Sequence, residues 1–93
     1  MKGIVIKTKT EKGREAVARH IIEKKKERGI KAQFYKKWFK ETIVSTDPLV
    51  FEIRLLNPML SGMSFEAFKS QISETLFKNG AVLDDDYGVD EIE

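Results

Sequence analysis

Ninety-three residues with no cysteine, a net charge of +2 and 34% charged side chains fit one small domain, and exclude a disulfide framework or a thiolate metal site. A hydrophobic fraction of 41% argues against disorder, and the opening "MKGIVIKTKT" has too short an apolar run for a secretion signal or a membrane span, so a soluble, cytoplasmic protein with no membrane partner is expected. The charge is polarised: residues 1–40 hold 14 Lys and Arg against four Glu, whereas residues 41–93 hold three against 11 acids, six of them in the closing "DDDYGVDEIE".

In chain order, "GIVIKT" reads as a strand with Ile4 and Ile6 on one face. Thr8 or Thr10 caps a helix whose apolar stripe is Val17, Ala18, Ile21 and Ile22, and Gly29 is expected to stop it. From Ile30 to Ser45 the residues are β-branched, aromatic and basic without internal Gly or Pro, which predicts one long strand; a bulge near Lys36 would exchange its faces. "TDP" turns the chain into "LVFEIRLL", a strand with Leu49, Phe51, Ile53 and Leu55 on one face. Ser64 is the expected N-cap of a second helix carrying Phe65, Phe68, Ile72 and Leu76, which stops at Asn79 and Gly80. "AVL" at 81–83 reads as the last strand, before an acidic tail over 84–93.

The order β-α-β-β-α-β predicts an α+β, ferredoxin-like domain over residues 1–83: a four-stranded antiparallel sheet, two helices on one face, the first and third strands central. Alternation sends Ile4, Ile6, Ala32, Phe34, Phe51, Ile53 and Leu55 inward. It leaves Val5, Lys7, Tyr35, Lys37, Phe39, Ile43, Val50, Glu52, Arg54 and Leu56 on an open face, a mixed surface of the kind that marks an interaction site.

Two partners suit such a face. Nucleic acid or another polyanion is the first, with Lys25, Lys26, Lys36, Lys37 and Lys40 on phosphates and Tyr35 and Phe39 as stacking surfaces, supported by the run Lys24, Lys25, Lys26 and Arg28. The aromatic pattern of RNA-recognition modules is absent from the two central strands, which leaves the basic and aromatic edge strand to make the contact. A second copy is the other partner, giving a homodimer through Val5, Phe39, Ile43, Val50 and Leu56. "VIKTKTEKGREAVA" resembles the strand-to-helix start of dimeric α+β-barrel proteins, and "DPLVFEIRLLNP" followed by "SFEAF" is similar to the later part of the antibiotic-biosynthesis monooxygenase type. That resemblance implies a dimeric scaffold or small-ligand domain, with chemistry in a cleft between sheet and helices as a further option.

Catalytic constellations are not legible. His20 borders an apolar stripe in a chain with no second His and no Cys, Ser64 is better explained as a cap than as a nucleophile, and "EKGREA" matches no phosphate cradle. Asp84, Asp86 and Asp90 match a calcium loop only in part. The expectation is a non-enzymatic binding or regulatory module needing no cofactor or metal. The charged fraction, with only two Asn and two Gln, has the character of heat-stable proteins.

Overall fold

Ile4 and Ile6 are fully buried while Lys7 is exposed, and this two-residue period makes Gly3–Thr8 (β1) a strand with one covered face. A computed structural model describes residues 1–27 and 29–93; Arg28 of the basic run lies outside the described residues. After β1 come α1 (Glu11–Lys26), α2 (Ile30–Trp38), β2 (Phe39–Thr46), β3 (Leu49–Leu55), a short 3-10 helix (Pro58–Gly62), α3 (Phe65–Lys78) and β4 (Tyr87–Ile92). Among the described residues the strands form one antiparallel sheet in the order β2-β3-β1-β4, so the class is α+β with β1 and β3 central and β2 at an edge, as the sequence predicts.

Val17 and Ile21 of α1, Phe68, Ile72 and Leu76 of α3, and Ile4, Ile6, Phe51 and Ile53 of the central strands make one buried cluster. Each such side chain contributes about 1.5–3 kcal/mol by leaving water. The expected caps form: Thr10 Oγ1 accepts from the Gly13 N–H at 3.2 Å and Ser64 Oγ from the Ala67 N–H at 3.4 Å. Asn79 closes α3.

The long strand expected over 30–45 does not form. α1 ends earlier than Gly29, at Lys26, where the Glu27 N–H donates to the carbonyls of Glu23 and Lys24; Gly29, with φ 96°, becomes the N-cap of α2. Helical spacing puts Ala32, Tyr35, Lys36 and Phe39 at i, i+3, i+4 and i+7, and the burial this stripe gains outweighs the β preference of its individual residues. Tyr35, Lys36 and Lys37 therefore lie on a helix, and Phe34, expected in the core, is 58% exposed.

Two further corrections follow from the pairing. Phe39 opposes Leu55 and Ile43 opposes Phe51, which puts both on the helix-covered side of the sheet and not on the open face; the register shifts beyond Ile43, at Val44. The last strand is Tyr87–Ile92, drawn from the expected acidic tail, while Leu83 makes only an isolated bridge to Tyr87. Tyr87 and Val89 bury at a spacing of two and carry the strand into the sheet despite its acids.

The turn before β4 is tied to the start of α1. The Asp86 carboxylate accepts from Thr10 Oγ1 at 2.6 Å and from the Val82 N–H at 2.8 Å, while its carbonyl accepts from the N–H groups of Lys9 and Thr10. The Thr10 hydrogen bond first, then that of Val82, holds the Asp86 carboxyl below the ordinary carboxylate range. Asp90 lies 3.8 Å from Lys7 Nζ. Of the three carboxylates weighed as a cation loop, Asp86 thus serves the fold and Asp90 lies in an exposed ion pair, and among the described residues no group of three or more metal-type side chains converges.

Candidate functional site

α2 lies beside the sheet edge, so the end of α1, α2 and β2 enclose a cavity of about 550 Å³. Its walls include Ile21 of α1, Ala32 of α2, Phe39 and Ile43 of β2 and Phe51 of β3. Lys24, Lys25 and Lys36 line it with Glu27, and Tyr35 and Glu41 supply its remaining ionisable groups. The size falls within the range of pockets that enclose small organic molecules, roughly 300–1,000 Å³.

The aromatic wall is built by stacking. The Phe39 ring lies between Tyr35, 4.8 Å away between centroids, and Phe68, 5.7 Å away. Lys24 Nζ stands 4.8 Å above the centre of the Tyr35 ring and 3.5 Å from Glu27 Oε1, so one side chain is held by a cation–π contact and an ion pair together. Burial, and then the acceptor and charge of Glu41, push the Tyr35 phenol far above its usual value. It remains a neutral donor at every physiological pH.

His20 lies one helical turn before Lys24, 5% exposed, with its ring edge-on to Phe51 at 6.5 Å. Its Nε2 is buried and has no hydrogen-bond partner among the described residues. Burial lowers its pKa below the ordinary 6.5, helped by Lys24 and opposed by Glu41, Glu23 and Glu27, so the imidazole is neutral in the folded chain. Because the unfolded chain binds the proton more readily, this residue's contribution is fully present above about pH 6.5 and is lost as the pH falls from there towards the lowered folded value. Denaturation midpoints measured between about pH 7.5 and 5 are expected to fall for the natural chain and to stay nearly level across that window for His20→Leu.

No family model, curated protein or solved structure matches this chain. Its own geometry therefore carries the functional reading.

Of the residues read as a polyanion site, Lys25, Lys36, Tyr35 and Phe39 come together at the cavity. Tyr35 and Phe39 face each other there and do not present free rings. Lys26 and Lys37 are exposed on their helices outside the cavity lining, and Lys40 pairs with Arg54 on the opposite side of the sheet. The residues read as a dimer interface divide in the same way: Val5 and Val50 lie on the open face, Phe39 and Ile43 line the cavity, and Leu56, past the end of β3, is 51% exposed. On the open face, Lys7 and Asp90, and Glu52 and Arg54, make ion pairs around the two valines. Glu41, Ala32, Ile21 and Phe51 are cavity residues that the sequence reading did not assign to a site. Of these only Ala32 carried a sequence signal, its helical spacing with Tyr35, Lys36 and Phe39.

Among the described residues no helix is long and apolar enough to cross a membrane.

Proposed function

We propose that this chain is a ferredoxin-like small-ligand-binding module, which takes an amphipathic organic molecule into the cavity between α1, α2 and β2. The observation that carries this is the cavity itself: it combines aromatic and aliphatic walls with a few polar groups, the composition typical of sites for small organic ligands. The strand order β2-β3-β1-β4 with α1 and α3 in one core supports the ferredoxin-like description. The tethering of Lys24 to Glu27 and the Tyr35 ring favours a small guest over a long polyanion, because a groove for phosphates needs several free cations along one face.

Trp38, the last residue of α2, shares a shallower hollow with Tyr35 and Phe39, which also line the cavity. Ligand entry should therefore alter the emission of this single tryptophan. Titration with the neutral dye N-phenyl-1-naphthylamine is expected to saturate at one molecule per chain with a Kd on the order of 10–100 µM, the ligand efficiency of a compact apolar guest. No saturable binding, together with salt-sensitive capture of a single-stranded oligonucleotide, would replace this reading with the polyanion one.

A further inference from the structure

The cavity has two chemically different sets of groups, and together they specify more than an apolar guest. Lys25 and Lys36 line it without a carboxylate within 4 Å among the described residues, whereas Lys24 is already engaged by Glu27. Glu41 also lines the cavity; the Tyr35 hydroxyl is set against it, and it has no Lys or Arg partner within ion-pair distance among the described residues. Glu41 is half-buried beside apolar side chains, so a ligand donor directed at it would make a charge-assisted hydrogen bond. Phe39, Phe51 and Ile21 line the cavity beside these groups and supply apolar wall for the body of a guest.

We infer that the ligand is a compact apolar carboxylate bearing a hydrogen-bond donor away from its acid group, with the acid at Lys25 and Lys36 and the donor at Glu41. This rests on the small-ligand reading of the same cavity and names the ligand class. Lys25 and Lys36 supply attraction for the anion, and Glu41 supplies direction: a reversed ligand would set carboxylate against carboxylate. His20 takes no direct part, since its Nε2 is enclosed.

The test uses 6-hydroxy-2-naphthoate, 6-hydroxy-2-naphthamide and 2-naphthoate on the full chain, read by calorimetry or Trp38 emission. The hydroxynaphthoate is expected to bind at least about tenfold more tightly than the amide, and several-fold more tightly than the naphthoate lacking the hydroxyl. Lys25→Met with Lys36→Met should bring the acid and the amide to nearly equal affinity, while Glu41→Gln should remove the preference for the hydroxyl but keep that for the acid. Should Glu41→Gln fail to melt cooperatively, 6-methoxy-2-naphthoate, which has no donor, makes the same comparison on the natural chain. Equal binding of all three probes would overturn the inference and leave the cavity reading standing; binding of none of them, or of N-phenyl-1-naphthylamine, would overturn both.

Discussion

Gly13→Ala is expected to destabilise the fold by about 2–4 kcal/mol, although Ala is the better helix former by about 1 kcal/mol. Gly13 is buried in the first turn of α1, facing the turn that leads into β4. A Cβ there would lie far inside van der Waals contact distance of the Asp86 carbonyl oxygen and 2.8 Å from its carbonyl carbon. Neither backbone can retreat cheaply. The Asp86 carbonyl is held by the N–H groups of Lys9 and Thr10, and its carboxylate by Thr10 and Val82. Relief would pull apart the seam that joins the start of α1 to the edge strand, and a core once packed resists such shifts. Urea denaturation of the variant and the natural chain measures the difference; equal or greater stability in the variant would mean that the seam yields.

Ala32→Trp is expected to weaken binding of any cavity ligand by more than about tenfold while changing stability by less than about 1 kcal/mol. Ala32 is half-buried on α2 and lines the cavity, so a large ring placed there takes up space that the ligand needs. The fold loses little, because α2 lies outside the main cluster formed by α1, α3 and the central strands. Calorimetric titration of the variant with 6-hydroxy-2-naphthoate, alongside its thermal melt, separates the two effects. Undiminished affinity in a folded variant would place the ligand elsewhere.

The sequence disclosed the parts of this fold whose period is unambiguous. Ile4 and Ile6, and Phe51 and Ile53, alternate cleanly, and they lie on the covered face of the two central strands. Ser64 and Asn79 bound α3 as their side-chain chemistry predicts. What stayed hidden turns on competition between two periods. "IKAQFYKKWF" is rich in residues that favour strands, yet its inward residues recur at helical spacing, and tertiary burial of Tyr35 and Phe39 decided between the two. That one difference reversed the site. With α2 in place, Phe39 and Ile43 turn from an open sheet face to the wall of a cavity, and the stretch that read as a basic, aromatic edge strand splits between cavity lining and solvent.

The acidic end illustrates the opposite effect. Six acids suggested a solvated tail, but only Tyr87 and Val89 need to face inward for β4 to form, and its acids point to solvent or pair locally, as Asp90 does with Lys7. The charge contrast between the two halves of the chain is thus partly answered within the fold: β1 and the start of α1, from the basic half, are hydrogen-bonded to β4 and its turn from the acidic half.

The most direct test is a titration of ¹⁵N-labelled protein with 6-hydroxy-2-naphthoate, followed residue by residue in the amide spectrum. Saturable shifts should gather at Ile21, Ala32, Phe39, Glu41 and Ile43 around the cavity, with Lys7, Val50 and Arg54 on the open sheet face unmoved. Shifts confined to the open face, or none at millimolar ligand, would contradict the assignment of this cavity as the binding site.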